Sequence, residues 1–417
     1  MVITRYLPES NYLKIIQWLT AAIGFLPIIP YNVSSITMIT WILILVLYPF
    51  LYKKQLHLRN SRFWVPFWFL TGNFFIFVIS MVYTSDIREG LRFIESSLVM
   101  LILPLGFLIM SKLPIDTSVT VRYSTQVFWI STSLLCLYLL WSFYRLGHFS
   151  RFSEVNSFNS IFRDTADHLT RKHPTYLSLY FGFAMYLTCE KFARRKGFFL
   201  NILYGVILGI LVVVVLLMAS RTPIIAVIVS FLVVYFFKIR KKWLKAVFFI
   251  GFIIVSVLVV RLTPAIYSRV TEVSNTAFEP PVGVHHNSTN IRVGIIKCSL
   301  DIIKNNIWIG VGAGDDRTNL LNCYKRYPTD AYEIHFYNTH NQYLNILLLT
   351  GVFSLIFFIG TLFLIIKDSF HNKDFVLLFF IVLLCVGFIT ENLLSRQAGI
   401  VFFYYFVCLR VLFNRSI

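Results

Sequence analysis

Charged residues are scarce in this chain. Only 14% of its 417 residues are Asp, Glu, Lys or Arg, whereas 57% are hydrophobic and the mean hydropathy is +0.73. A soluble globular protein has about a quarter of its residues charged, because it must cover its surface with polar groups. The composition therefore excludes a soluble fold and predicts a single integral membrane domain over 1–417.

Signatures of common enzyme centres are also missing. The glycine-rich stretch 310–314 lacks the Lys-Ser/Thr pair of a nucleotide-binding P-loop, and no GxSxG nucleophile elbow occurs. The histidines His285, His286 and His335 have no firm metal-ligand spacing. ATP-driven and metal-dependent chemistry therefore have little support, and we predict neither a cofactor nor a metal ion.

The six cysteines contain no CxxC pair, and four of them fall in apolar runs, where cysteine behaves as a small hydrophobic residue. Cys298 and Cys323 instead share one polar segment. They could form a disulfide if that segment faces an oxidising compartment. Spacing alone does not prove such a bridge, so both the bonded and the free state remain open.

Long apolar runs dominate what is present. A bilayer core needs about 20 apolar residues per helix, and twelve runs of about that length can be read. They lie at about 12–30, 34–52, 64–83, 91–110, 123–147, 173–189, 198–218, 222–237, 246–261, 339–366, 375–390 and 398–413. We therefore predict an all-α polytopic membrane protein with about twelve transmembrane helices.

Basic residues determine the predicted orientation. The formal net charge of +19 resides mainly in short connections between apolar runs, which is typical of membrane orientation and of contact with anionic lipids. Clusters such as Lys53-Lys54 and Lys241-Lys242 fall on one side of the twelve-span arrangement. That side is predicted to be cytoplasmic, together with both termini, and nucleic acid is not expected as a partner.

Two long segments lie on the opposite face, a smaller periplasmic loop at 148–172 and a larger one at 262–338 between the ninth and tenth runs. The larger loop is too long for a passive connection and should contain short helices. Asn287 to Asn290 offer helix-capping side chains. Apolar residues then recur at helical spacing, at Ile291, Ile295, Leu300, Ile303 and Ile307. This pattern predicts an amphipathic helix at the external membrane interface, ending in a flexible turn at 310–314.

Charged residues close to the membrane are the first functional candidates, because each one at the bilayer centre costs about 2.5–3.5 kcal/mol on insertion scales. Arg221 follows Ser220 between two apolar runs, where it could reach lipid phosphate or point into a cavity. His340 lies at the external start of the tenth run. It could be a structural side chain, or it could be a general base, since imidazole titrates near neutral pH.

Further charges gather near the same face. Arg88, Glu89, Arg92 and Glu95 cluster where the fourth run meets the external face, and Arg92 and Glu95 are three residues apart on one helix face. These charged residues could form ion pairs with one another or could contact a substrate. Glu391 and Arg396, in the last external connection, could pair in the same way.

The large loop is rich in arginine. A guanidinium group offers a planar, two-pronged donor that matches phosphate oxygens. These arginines could therefore bind lipid headgroups or clamp a pyrophosphate. They are Arg269, Arg292, Arg317 and Arg326.

Three short segments resemble motifs of the O-antigen ligase family, within the wider superfamily of O-antigen ligases and polymerases. In chain order they are Ser220-Arg221 opening a run, Asn290-Ile291-Arg292 followed by the stretch 305–314, and His340-Asn341 followed, after nine intervening residues, by Gly351. The sequence departs from the family pattern at Asn306, where proline is common, and at Ser354. These departures leave the subfamily open.

The resemblance implies a glycosyltransferase of the bacterial inner membrane with its active site on the periplasmic side. The donor would be a glycan on undecaprenyl pyrophosphate. The acceptor would be a sugar hydroxyl of lipid A–core or of another glycan, and membrane lipids would also contact the protein. His340 would act as the base of an inverting displacement, while Arg221 and Arg292 would meet the pyrophosphate charge. The residues then assigned to substrate binding are Arg88, Arg92, Arg317, Asn341 and Glu391.

Two other activities fit the sequence less closely. A polymerase of the same superfamily would use the same donor chemistry and differ in its acceptor. A transporter of lipid-linked glycans needs no catalytic base and usually has repeated halves, which this sequence lacks. A membrane scaffold without activity would leave the long loop and the His–Arg set unexplained.

Overall fold

The computed structural model describes residues 8–54, 61–148, 155–194, 197–262, 278–284, 286–333 and 336–413, and the regular elements in these ranges are all helices. They are α1 (Glu9–Ile23), α2 (Tyr31–Leu51), α3 (Ser61–Ser80), α4 (Ile87–Ser97), α5 (Val99–Met110), α6 (Thr117–Arg145), α7 (Val155–Thr170), α8 (Pro174–Arg194), α9 (Phe198–Met218), α10 (Arg221–Lys238), α11 (Lys242–Leu262), α12 (Ser288–Asn305), α13 (Asp316–Tyr324), α14 (Gln342–His371), α15 (Phe375–Gly387) and α16 (Gln397–Cys408), which continues as a π-helical turn over Leu409–Phe413. The all-α prediction is confirmed.

Each predicted apolar run coincides with a helix or a pair of helices, while α7, α12 and α13 lie within the two predicted loops. Six helical segments of the described chain are long and apolar enough to cross a membrane, namely α2, α4–α5, α6, α9, α10 and α14. The apolar helices α15, α16 and the part of α3 from Trp64 to Ser80 are shorter. The number of twelve crossings stays a prediction.

Several boundaries differ from those read from hydropathy. The first helix ends at Ile23, and turns follow before Pro30. The fourth run divides at Leu98 into α4 and α5, and α4 begins before the apolar stretch because the Asp86 carboxylate accepts the Glu89 amide at 3.0 Å. The tenth run becomes helical only at Gln342. His340 therefore lies in the turn before α14.

The centre of the fold is α16, in which every residue from Ala398 to Cys408 is buried. A helix that is apolar on all sides is typical of a position enclosed by other helices. Its Phe402 and Phe406 rings pack against aromatic rings of α6, α8 and α15, at Phe128, Phe183 and Phe380. Around this core, α10 packs along α15 and α14 packs along α3. The helices that carry the candidate site are thus fixed to a common frame.

The large loop forms a second, smaller core. Asn287 caps α12 in a reciprocal capping box with Asn290, as the capping residues predicted. The buried apolar residues of α12 pack against α13 and Leu348, and a disulfide joins Cys298 to Cys323. The predicted apolar face of α12 is thus buried against the protein at Ile291, Ile295 and Ile303, whereas Leu300 is exposed. The location of this helix at the membrane interface stays a prediction.

The glycine-rich stretch 310–314 is closely packed, which corrects the expected flexible turn. The amides of Val311 and Gly312 donate to the carbonyls of Leu348 and Leu349 at 2.8 and 2.9 Å. A Cβ on the third glycine, Gly314, would lie 2.2 Å from a backbone oxygen of the α3–α4 connection. These glycines serve close backbone approach between the loop and the helices.

Gly351 breaks α14 at the point where the loop packs against it. Its φ is +77° and its ψ is −174°, a conformation that residues with a side chain rarely adopt. A Cβ there would lie 2.1 Å from the carbonyl oxygen of Trp308. The Val352 amide donates to the Ile307 carbonyl at 2.8 Å, so the loop supplies a hydrogen bond that the broken helix cannot.

We expect Gly351→Ala to lower the free energy of unfolding by about 2–4 kcal/mol, through backbone strain and the clash with Trp308. The matched control is Gly360→Ala on the same helix, where the added Cβ would meet only a ring carbon of Phe69 at 3.6 Å. Thermal unfolding of both purified variants measures the difference. Equal unfolding midpoints for the two variants would contradict this account of the break.

Candidate functional site

A cleft of about 590 Å³ lies where four helices begin. Its walls include His173 and Thr175 at the start of α8, Ser220 to Pro223 at the start of α10, Ser288, Thr289 and Arg292 at the start of α12, and His340 just before α14. A helix N-terminus has backbone amides without helical partners and carries a positive partial charge. Four such ends around one cleft favour an anionic ligand.

The start of α10 is the least capped of these ends. Ala219 adopts a left-handed conformation with φ of 45°, which ends α9 and turns the chain into α10. The side chain of Ser220 does not cap the new helix, because its hydroxyl donates back to the Met218 carbonyl at 3.4 Å. Arg221 is the first helical residue, and its Nη2 lies 3.4 Å from Ser288 Oγ. This contact ties the starts of α10 and α12 together.

Arg292 projects from the second turn of α12 into the same cleft. Its Nη2 lies 3.8 Å from Oε1 of Glu391, and 44% of its side chain remains exposed. The structure thus brings Arg221, Arg292 and His340 together, although they come from three separate elements. The remaining exposure leaves room for a ligand at the guanidinium of Arg292.

His340 is held in a strained turn beside a carboxylate. Its φ is 45°, and its backbone amide donates to the side chain of Asn338 at 3.0 Å. The Nδ1 atom is buried without a hydrogen bond of ordinary geometry, and it lies 3.5 Å from Oε2 of Glu391. A carboxylate at Nδ1 favours a proton on that nitrogen. Nε2 is then the basic atom of the ring.

Glu391 connects the positive groups of the cleft. Burial favours a raised pKa for Glu391, but the hydrogen bond and charge of His340, with the charges of His173 and Arg292, hold its pKa below the usual value. Glu391 is therefore ionised at neutral pH. Its charged partners are Arg292 and His340, not Arg396, which the sequence left as a possible partner.

The segments of Glu391 and His340 are joined by buried amides. Asn392 accepts a hydrogen bond from Thr339 at 3.0 Å and donates one to Asn345 of α14, also at 3.0 Å. Asn341, predicted as a substrate contact, accepts the Leu344 amide at 3.0 Å and so caps α14. These hydrogen bonds fix the distance between the imidazole and the carboxylate.

Other residues predicted to bind substrate lie away from the cleft. Arg317 is exposed and lies over the ring of Phe336, with its guanidinium carbon 4.6 Å from the ring centre. Arg88 and Arg92 on α4 are exposed, and Arg92 pairs with Glu89 at 2.5 Å rather than with Glu95. The loop residue Arg269 lies outside the described residues.

Two basic residues of the cleft were not among the predicted site residues. Arg163 comes from α7 and His173 from the turn before α8, both near or within the smaller loop. The pattern Phe158, Phe162 and Ala166, spaced by four residues, could have indicated an amphipathic helix there. These three residues are buried, and Arg163 lies at the edge of that apolar face.

The cleft has an excess of positive charge. Three arginines and one glutamate line it, giving a formal charge of +2 with both histidines neutral. Within the described part of the chain, no group of three or more His, Cys, Asp or Glu residues is arranged to hold a metal ion. The charge available to an anion in this cleft comes from guanidinium groups and helix starts.

Replacing Glu391 with Gln should destabilise the protein at neutral pH by about 1–3 kcal/mol, because two positive partners lose a buried carboxylate. The pKa of Glu391 is lowered by folding, so its contribution is present above the ordinary carboxyl pKa and is lost as pH falls through the lowered value. The stability gap between wild type and variant should therefore narrow in acid. Thermal unfolding measured across pH tests this.

The control is Glu89→Gln, which removes an exposed ion pair with Arg92 and should change the unfolding free energy by less than about 1 kcal/mol. If the difference in unfolding free energy between wild type and Glu391→Gln stayed constant with pH, the carboxylate charge of Glu391 would not stabilise the site.

Comparison with protein families gives one match over this region. Residues 205–359 match the family model described as O-antigen ligase. The matched segment contains Arg221, Arg292 and His340, while Arg163, His173 and Glu391 lie outside it. Comparison with curated proteins gives no match.

Proposed function

We propose that this chain is a member of the O-antigen ligase family and transfers a glycan from undecaprenyl pyrophosphate to a sugar hydroxyl of lipid A–core. The match of residues 205–359 to the O-antigen ligase model supports a glycosyltransferase, and several helices apolar enough to span a bilayer support a membrane protein. The observation that carries the proposal is the convergence of Arg221, Arg292 and His340 on one cleft.

The positive side of the cleft suits a pyrophosphate leaving group. Arg221 and Arg292 come from the starts of α10 and α12, so guanidinium donors and helix dipoles act on the same anion. These two guanidinium groups carry two positive charges, which match the two negative charges of a pyrophosphate diester. Charge that grows on the leaving oxygen would be stabilised by donors already in place, which is the largest catalytic term in many enzymes.

The base of the reaction is His340 in this proposal. The acceptor oxygen attacks the anomeric carbon as the bond from that carbon to the pyrophosphate oxygen breaks. The hydroxyl proton passes to Nε2 of His340, and the bonding electrons leave with the pyrophosphate. Glu391 at Nδ1 stabilises the imidazolium that forms. A single direct displacement inverts the anomeric centre, and the donor's own leaving group replaces ATP and metal activation.

The active site faces the periplasm in this proposal, with both termini in the cytoplasm of a bacterial inner membrane. The Cys298–Cys323 disulfide supports an oxidising compartment around the segment that carries Arg292. The basic clusters between apolar helices support a cytoplasmic location for the opposite face. Apolar grooves between the helices would hold the polyprenyl tail and the acceptor's acyl chains.

The test is glycan transfer by the purified full-length chain, supplied with undecaprenyl-pyrophosphate glycan and lipid A–core without ATP or added metal. We expect glycan on lipid A–core with wild type and a rate reduced about 100-fold or more in His340→Ala, since a general base contributes at least that much. The matched control is His371→Ala, which changes an exposed histidine at the far end of α14 and should keep the wild-type rate.

Other outcomes separate the alternatives. Glycan lengthened only on undecaprenyl pyrophosphate would replace the ligase with a polymerase. If no glycan reached either acceptor, although a control enzyme used the same lipids, the proposal would be overturned. Full activity of His340→Ala would remove His340 from the mechanism.

A further inference from the structure

One wall of the cleft takes no part in the chemistry described so far. Arg163 of α7, with His173 and Thr175 at the start of α8, lines the same cleft as His340 and Glu391. These three residues lie outside the segment that matches the family model. Two nitrogen-bearing side chains of a catalytic cleft therefore have no assigned role.

This wall is a fixed part of the fold. The rings of Phe158 and Phe162 on α7 pack against Phe143 of α6, with centroids 5.1 and 5.0 Å apart. Between them, Asn159 donates its side-chain amide to the carbonyl of Leu217 at 2.9 Å, near the end of α9. Contacts to two neighbouring helices thus hold the helix that carries Arg163.

The residue before His173 is anchored as well. Lys172 is 2% exposed, its Nζ donates to the carbonyl of Ile29 at 2.8 Å, and the ammonium lies 5.2 Å from the ring centre of Tyr31. A cation that is buried with a carbonyl and an aromatic face has its charge met inside the protein. The position of the neighbouring imidazole is thereby set, as a preorganised binding group requires.

His173 has the opposite tautomer to that favoured for His340. The Thr175 amide donates to Nδ1 of His173 at 3.4 Å, so the neutral ring has its proton on Nε2. Burial lowers the pKa of His173. The charge of Glu391 acts in the opposite direction, while the positive charges of Arg396 and Arg163 lower the pKa further. A neutral N–H beside a guanidinium suits the hydroxyl oxygens of a sugar.

The contacts along the cleft separate this wall from the phosphate side. Arg221 contacts Ser288, and Arg292 contacts Glu391, which in turn contacts His340. Arg163 and His173 come from α7 and the turn before α8, and they line the same cleft as Glu391. The two groups proposed to meet the pyrophosphate, Arg221 and Arg292, come instead from the starts of α10 and α12. In a direct displacement the attacking hydroxyl approaches opposite the leaving pyrophosphate.

We propose that Arg163 and His173 form the acceptor-sugar subsite, binding sugar hydroxyls so that the attacking oxygen lies next to Nε2 of His340. This inference rests on the proposed glycan transfer and deepens it, since it assigns the acceptor to one wall of the cleft. It also gives the smaller loop at 148–172 a function, because α7 places Arg163 in the site.

The test is steady-state kinetics of the full-length chain, with donor and acceptor concentrations varied separately and with whichever acceptor wild type uses. We expect Arg163→Ala and His173→Ala to raise the acceptor KM about tenfold, as loss of one substrate hydrogen bond does, and to change the donor KM less than about twofold. His173→Gln places an amide N–H near the position of Nε2 and should recover most of the loss. His168→Ala, an exposed change on α7, should resemble wild type.

Folding and function are separated by two further readouts. Thermal unfolding midpoints of the variants should match wild type, and donor binding without acceptor should be unchanged. An unchanged acceptor KM, or a donor KM that rises as much as the acceptor KM, would overturn the subsite while leaving the proposed function intact. Absence of transfer by wild type would instead overturn the proposed function, and this inference with it.

Discussion

The convergence of four helix starts on one cleft determines what the surrounding residues must do. Each start adds the positive partial charge of a helix N-terminus, and three arginines line the same cleft. Such charge next to apolar helices is costly unless an opposite charge or a ligand meets it. Glu391 supplies that opposite charge through Arg292 and His340. Because it offsets only part of the excess, the site remains suited to an anion.

The irregular backbone near the site is tolerated because the protein satisfies its polar groups internally. The segment before the glycine-rich stretch has apolar, exposed side chains, with Trp308 65% and Ile309 58% exposed. Its Ile307 carbonyl accepts the Val352 amide at the break in α14, and its Ile309 carbonyl accepts the hydroxyl of Tyr83. Non-helical backbone beside a membrane requires this kind of pairing. The same contacts fix α14, which follows directly after His340, relative to the loop that holds Arg292.

Much of the architecture could be predicted from the sequence because hydropathy and charge are local properties. The apolar runs all became helices, and Asn287 and Asn290 cap α12 as their side chains indicated. The cleft residues Arg221, Arg292 and His340 were also named from the sequence, through their cost near a membrane and a resemblance in short motifs. Their meeting in one cleft depends on the packing of α10, α12 and α14.

The remainder depends on contacts between distant segments. From the sequence, Glu391 could pair with Arg396 nearby in the chain, but the fold places it against Arg292 and His340. Arg163 was passed over because its segment read as a connection, although apolar spacing in that segment is helical. Spacing left the Cys298–Cys323 bridge open, because it forms only when α13 folds back onto α12.

The central claim is that this cleft holds the pyrophosphate of the donor. The most direct measurement is a cryo-electron microscopy structure of the full-length chain with undecaprenyl pyrophosphate bound. The account predicts two phosphate groups between the guanidinium groups of Arg221 and Arg292, with the prenyl chain leaving the cleft between helices. Phosphate density elsewhere, for example beside Arg88 and Arg92 on α4, with the cleft empty, would contradict it.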